Sequence, residues 1–207
     1  MRISELSRQT GVPVPTIKFY LREGLLPAGT PTGRNQATYD AEHERRILII
    51  RTLISFAHFD LASARSLLAA IYDDQLSLPD VYEVADRARF PGDSALDQAG
   101  VIEQARADVD DFIGRQGWTT SADAPGRNRL AQVVAALRQL GCQHAMDLFI
   151  PYAEAADRLA DEELGLIPVD AEADDRAAAV TRTILLDVAI AAMRGIAHEH
   201  HVVRRFR

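Results

Sequence analysis

The chain has 207 residues, of which 47% are hydrophobic, and a net charge of −7 at pH 7. This length exceeds one typical domain, and the apolar content is enough for a sizeable core. The only cysteine, Cys142, excludes an internal disulfide, and we expect it to be a small buried side chain. The longest apolar stretch, residues 184–193, is too short to span a bilayer, and Met1-Arg2-Ile3 begins no signal region, which predicts a cytoplasmic protein.

The first 22 residues predict two short helices joined by a tight turn. Ser4 is a suitable N-cap for the first helix, and Gly11 supplies the positive φ that ends it. The second helix runs from Val14 to Arg22, with Pro15 in the first turn, where no amide donor is needed. At about 100° per residue, one face of this helix is apolar and is predicted to be buried; it carries Val14, Ile17 and Leu21.

The remaining surface of this second helix carries side chains suited to DNA. Cations bind phosphates, whereas hydroxyl and apolar groups contact base edges. The residues predicted to face outward, or to flank that face, are Pro15, Thr16, Lys18, Phe19, Tyr20 and Arg22. The pattern therefore predicts a recognition helix in a helix-turn-helix.

Residues 23–40 are rich in Gly, Pro and Thr, which is typical of a β-hairpin wing. Arg34 lies near the predicted tip, where it can reach the minor groove or the DNA backbone. Residues 1–59 hold eight Lys/Arg and five acidic residues and so carry +3, which leaves −10 for the rest of the chain. This asymmetry favours an amino-terminal face that meets phosphates.

Two further helices complete the predicted amino-terminal domain, which we place at residues 1–75. One covers residues 41–56, and the next follows Asp60 as its N-cap and covers residues 61–72. Three cations of the first of these helices lie off its apolar stripe, either as a solvated face or as contacts to the DNA backbone: Arg45, Arg46 and Arg51.

From residue 76 onward the chain is rich in alanine and in helix caps and has almost no strand-like runs. Helical spacing predicts five helices: 79–89, 99–116, one that begins at Pro125, 143–164 with a bend near Pro151, and one from about 171 to beyond 196. We therefore expect a mainly α protein, with a winged helix-turn-helix followed by an all-helical bundle at 76–207 that serves dimerisation and effector binding.

The amino-terminal motifs strongly resemble the MerR family of transcription regulators. The matching runs are Ile3-Ser-Glu-Leu-Ser, Gly11-Val12, Thr16-Ile-Lys-Phe-Tyr20, Glu23-Gly-Leu-Leu26 and Tyr39-Asp40, continued by Arg45-Arg46, Phe59-Asp60-Leu61 and Ile71. The chain departs from the family at Pro13, where a serine is usual, and at Ala37, where the wing often has an arginine.

This resemblance implies a homodimer that binds a pseudo-palindromic, double-stranded promoter, kinks and underwinds it, and so lets RNA polymerase engage. It adds Tyr39 to the expected DNA contacts. Two other readings stay open: an architectural or excisionase-like protein that bends DNA without an effector, and a protein-interaction module whose DNA-binding domain is vestigial. The last helix, apolar from Val180 to Ile196, is the best candidate for the dimer interface.

The large carboxy-terminal domain resembles that of family members that respond to organic molecules. Five residues either line an apolar effector cavity or belong to a plain core: Phe112, Trp118, Met146, Phe149 and Tyr152. The histidines at 198, 200 and 201 suit a solvated helix end better than a metal site, and the acidic residues of 154–163 have no nucleophile and base beside them. We therefore expect no metal, no cofactor and no catalysis.

Overall fold

The computed structural model describes residues 1–33, 36–89, 99–142, 144–168 and 172–206. Within these ranges there are nine α-helices and one two-stranded hairpin, which confirms the predicted fold class. The chain forms two compact units: Met1–Val81 with Ala171–Arg207, and Tyr82–Asp170. The last helix, which the predicted division at 75/76 assigns to the second domain, thus packs with the first unit.

The first unit contains the helix-turn-helix, the hairpin and the long last helix. Its elements are α1 Ile3–Thr10, α2 Val14–Arg22, β1 Thr30–Gly33, β2 Gln36–Thr38, α3 Ala41–Arg51, a π-helical turn Thr52–Phe56, α4 Leu61–Ile71, the start of α5 Leu78–Arg89, and α9 Ala173–Phe206. The predicted bounds of α2 are confirmed, as is the end of α1 at Gly11, with φ of 67°. Ser4 is not the cap of α1, because the helix already begins at Ile3 and Arg2 occupies the N-cap position.

The core of the first unit determines which side of α2 is available to a ligand. Ile17 and Tyr20 are its buried residues, whereas Val14 and Leu21 are only half-buried. After α2 the chain turns back, and the amides of Leu25 and Leu26 donate to the Tyr20 carbonyl oxygen at 2.9 and 3.2 Å. This turn brings two fully buried leucines next to the end of α2. The buried face of α2 therefore includes Tyr20, whereas the sequence predicts a face centred on Ile17 and Leu21.

The wing is an antiparallel hairpin in which Thr30 pairs with Thr38 and Pro31 with Ala37. Its second strand leads into Tyr39, whose amide donates to the Met1 carbonyl oxygen at 2.8 Å, while the Met1 amino group donates to the Tyr39 carbonyl oxygen at 2.6 Å. These two bonds join the base of the wing to the start of α1. The predicted hairpin is confirmed; its tip, including Arg34, lies outside the described residues.

Gly29 is the point where the wing approaches its own base most closely. A Cβ atom added there would lie 2.6 Å from the Thr38 carbonyl oxygen and 2.9 Å from Cε1 of Tyr39. Because neither the backbone nor the buried Tyr39 ring can move away freely, we expect Gly29→Ala to lower the free energy of unfolding by about 1–3 kcal/mol in a denaturant titration. Gly33→Ala is the matched control, since a Cβ there has nothing within 4 Å. Equal losses in the two variants would contradict this account of the wing.

The three arginines of α3 bind neighbouring parts of the same unit. Arg45 forms an ion pair with Asp174 of α9 at 2.8 Å, and the Arg46 guanidinium lies 3.5 Å from the centre of the Tyr72 ring. Arg51 donates to the Thr10 carbonyl oxygen at the end of α1 at 2.9 Å. Arg45 and Arg51 are nevertheless exposed, so the three cations combine contacts within the unit with a partly solvated face.

The second unit is helical. After the end of α5 it contains α6 Ala99–Gln116, α7 Pro125–Gln139, a 3₁₀ turn Asp147–Phe149 and α8 Ile150–Leu164. The pair α6 and α7 packs around Ala105, Val109 and Val134, and Arg127 pairs with Asp110 at 2.6 Å.

Two expectations about the second unit are wrong. The helix predicted for 143–164 begins only at Ile150, so Pro151 lies in its first turn and starts it instead of bending it. Cys142 is exposed instead of buried, because it follows the Gly141 turn after α7. None of the described helices is long and apolar enough to cross a membrane.

Candidate nucleic-acid interface

The exposed face of α2 presents most of the predicted DNA-contacting side chains together. Pro15, Lys18 and Arg22 are exposed, and Thr16 and Phe19 are half-buried beside them. The Arg22 guanidinium lies 5.7 Å from the centre of the Phe19 ring, which limits the directions that this cation can take. This face therefore offers two cations, a hydroxyl and an aromatic ring within two helical turns.

Tyr20 does not belong to this face, contrary to the sequence-based expectation. It is 8% exposed, and burial raises the pKa of its hydroxyl, with the nearby Arg51 acting in the opposite direction. A tyrosine buried in this way packs against the core side of α2 and has little surface left for DNA. Tyr20 therefore belongs to the core of the DNA-reading part of the first unit. We call this part, which consists of α1, α2 and the wing, the reading unit.

Tyr39 is also buried, and its ring supports the wing. The ring packs against Gly29 and meets the His43 ring edge-on, with 5.2 Å between the ring centres. Asp40 follows it as the N-cap of α3 and accepts from the amides of Glu42 and His43 at 3.1 and 3.2 Å. Hydrogen bonding from His43 lowers the pKa of the Asp40 carboxyl. Tyr39 is therefore packed between the wing and α3, and at 8% exposure it leaves little surface for a ligand.

A groove of about 760 Å³ lies between α2, the start of α1 and the wing. Among the described residues, its lining contains two cations and no carboxylate: Arg2, Ile3, Lys18, Pro31, Thr32, Gly33, Gln36, Ala37, Thr38 and Tyr39. Such a lining attracts a phosphate backbone and repels no part of it. Arg2 is the residue that sequence reasoning missed. With the cap of α1 placed at Ser4, nothing indicated that Arg2 stands directly before the first helical turn and faces the wing.

The predicted effector residues of the second unit are brought together in part. Trp118, Met146 and Phe149 are half-buried and pack against the α6–α7 core, and the Phe149 and Tyr152 rings lie 6.4 Å apart. The Trp118 indole N–H donates to Asp157 of α8 at 2.7 Å. Phe112 is buried within α6, and Tyr152 is exposed. Within the described ranges, no group of three or more His, Cys, Asp or Glu residues is arranged to hold a metal ion.

A recognition helix, a hairpin wing and a cationic groove between them define a winged helix-turn-helix regulator of the DNA-binding class. Comparison with known proteins agrees. Residues 1–71 match the model of the MerR HTH family regulatory proteins. The chain belongs to the MerR family and is a transcription regulator of that family.

One solved structure extends the likeness over the whole chain. A protein assigned as a transcriptional regulator, SCO5550 from Streptomyces coelicolor A3(2), is 32% identical, with a TM-score of 0.73 over 100% of this chain and 98% of that one. The transcription regulator PbrR691 from Ralstonia metallidurans CH34, solved in complex with lead(II), is 25% identical over 63% of this chain and 98% of its own, with a TM-score of 0.39. No curated protein matches the chain significantly.

Proposed function

We propose that this regulator binds a pseudo-palindromic promoter as a homodimer, distorts it, and does so in response to a small organic molecule. One observation carries the proposal: the cationic reading unit is joined to the long helix α9, and no described residue of α9 beyond Ile184 is buried. One reading unit makes too few contacts for a specific site, and a palindromic site requires a protein with two-fold symmetry.

Between residues 185 and 197, α9 is apolar around most of its circumference, with Asp187 and Arg194 together on the remaining side. Leu186, Ile190 and Met193 follow one another at spacings of four and three residues and form one stripe, and all three are exposed. A second apolar stripe lies about a quarter turn away, at Leu185, Ile196 and Val203. A helix with so broad an apolar surface is normally buried, which supports a partner for this part of α9.

The charges along α9 indicate which partner fits. Its start is acidic, with Asp175 exposed in the first turn and Glu172 exposed just before it, whereas its end carries Arg204 and Arg205. Two copies packed antiparallel would set the acidic start of each helix against the basic end of the other. This complementarity supports a second copy of the chain as the partner, with α9 as the shared element.

On DNA, each protomer uses its groove and the exposed face of α2. Arg2, Lys18 and Arg22 bind phosphates, while Thr16 and Phe19 contact base edges. Arg34, which the sequence predicts near the tip of the wing, is proposed as a further backbone contact. The resemblance to MerR proteins supports a dimer that distorts the spacer of the promoter so that RNA polymerase can engage, and a protein with this role would work in the cytoplasm with the DNA.

The second unit is proposed as the effector-binding part. Trp118, Met146 and Phe149 present adaptable apolar surface at the edge of a small core, next to the carboxylate of Asp157. The acidic charge outside residues 1–59 favours a cationic or neutral organic compound over an anion. The compound regulates transcription only if it binds one arrangement of the two reading units more tightly than the other. Equal affinity for both arrangements would leave their populations unchanged.

A thermal-shift screen of the full-length protein against small organic compounds, with and without its own upstream DNA, tests this effector role. A compound at 100 times its Kd should stabilise the protein by about 2.7 kcal/mol. Phe149→Ala should remove that shift, and Leu140→Ala, at an exposed position of the same unit, should leave it unchanged. If no compound shifts the melting temperature while the DNA does, a DNA-bending protein without an effector is favoured. If neither does, the protein-interaction reading is favoured.

A further inference from the structure

A single arginine joins the start of α9 to the segment from which the chain leaves the first unit. The chain departs from this unit after Val81 and returns at Ala171. Arg176 Nη1 donates to the Leu76 carbonyl oxygen at 2.6 Å, and its Nη2 lies 3.4 Å from Oδ1 of Asp74. One side chain thus spans 100 residues of sequence and holds together the two ends of the first unit that lead to the second.

The Arg176 side chain lies in an environment where losing a hydrogen bond is costly. Its side chain is 11% exposed, and its Nε is buried without a hydrogen-bond partner among the described residues. A largely buried guanidinium that loses a hydrogen bond cannot regain it from water, and its planar fork holds the acceptors in a fixed direction that the flexible ammonium of a lysine does not impose. The bond to the Leu76 carbonyl oxygen is the buried part of the contact, whereas the Asp74 carboxylate is 82% exposed and contributes less.

The same few turns of α9 set the direction of the whole helix. Arg45 binds Asp174 at 2.8 Å, and Val180 and Ile184 are buried in the first unit, whereas no described residue beyond Ile184 is buried. Phe206 lies about 33 Å further along the axis, so a tilt of about 10° at the base would move it by roughly 6 Å. Small changes at the base are therefore amplified at the end of the helix.

We infer that Arg176 is a positioning residue that fixes the direction of α9 and thereby the spacing of the two reading helices on DNA. The inference rests on the proposed dimer through α9. The second unit is joined covalently to the first only through the two segments that Arg176 binds together. A change in that unit reaches the readers through this contact, and an effector that weakens or strengthens it alters the spacing.

The test compares how strongly the full-length protein prefers one spacing of half-sites. A duplex selected by the wild-type protein from a random-sequence pool is the probe, together with versions whose spacer is one or two base pairs longer or shorter and with an isolated half-site. For Arg176→Ala we expect the discrimination between spacers to fall about tenfold, while half-site affinity changes by less than about twofold. Arg176→Lys should give an intermediate loss. Arg129→Ala, which removes a cation from the second unit, should behave as the wild type.

The outcomes separate this inference from the function on which it rests. If the wild-type protein itself has no preferred spacing, the paired-reader function is wrong, and the inference fails with it. If the wild type has a preference that Arg176→Ala retains, the inference alone is wrong. An equal loss of half-site and full-site binding in both Arg176 variants also overturns it, because the residue would then only maintain the fold of the reading unit.

Discussion

Replacing Ile190 and Met193 by glutamate should convert the protein to a monomer and abolish tight binding to a full palindromic site. Both side chains are about half exposed in the single chain, so the protomer should fold normally. Burying two unpaired carboxylates of each copy in the α9 interface should weaken the dimer at least about a hundredfold. Sedimentation equilibrium measures the dimer, and a gel shift with the full site measures the consequence for DNA.

Leu140→Glu provides the matched control for this pair of substitutions. Leu140 is 80% exposed at the end of α7, so the same kind of change is made at an exposed apolar position of the second unit, outside the proposed interface helix. We expect the control to sediment as the wild type does. A double variant that stays dimeric would move the interface away from this stripe of α9, and a dimer that dissociates equally in the control would indicate a general loss of stability.

Removing Arg2 and Lys18 together should weaken binding to every DNA sequence by about the same factor. Both are exposed cations of one groove, so alanine costs little in the fold but removes two phosphate-binding groups from each protomer. We expect the slope of log K against log salt to fall by about one for each phosphate that is no longer neutralised, with affinity reduced roughly 10- to 100-fold at low salt. Gel-shift titrations at several salt concentrations, with specific and unrelated duplexes, measure both quantities.

Arg8→Ala tests whether the loss of DNA affinity depends on the position of a cation in the groove or only on the net charge of the protein. Arg8 is highly exposed on α1, lies 3.8 Å from Glu5 and does not line the groove. It should have at most a small effect on the salt slope. If Arg8→Ala weakens binding as much as a groove variant does, the whole face attracts DNA and the groove has no special role. An unchanged salt slope in the Arg2, Lys18 double variant would refute the assignment of the groove.

Local signals in the sequence determined much of the reading unit. Proline suits a first helical turn because it lacks an amide donor, and glycine suits a positive φ because it has no side chain. Pro15 and Gly11 therefore indicate where α2 begins and where α1 ends. Asp60 caps α4 through the amide of Ser63 at 2.8 Å, as its side chain and position predict. The class of protein followed from the same stretch, because a recognition helix and a wing are short and their residues are neighbours in the chain.

Interactions between distant residues were decided only by the tertiary structure. Tyr20 has the same spacing as an outward residue, yet the turn at Leu25 and Leu26 covers it. No periodicity separates an arginine proposed to bind DNA, such as Arg22, from one that binds Thr10 or Asp174, since all are cations off an apolar stripe. Arg176 meets Leu76 across 100 residues, and α9 joins the first unit although it ends the chain. A sequence pattern reports the environment that a side chain needs, whereas packing decides which part of the molecule provides it.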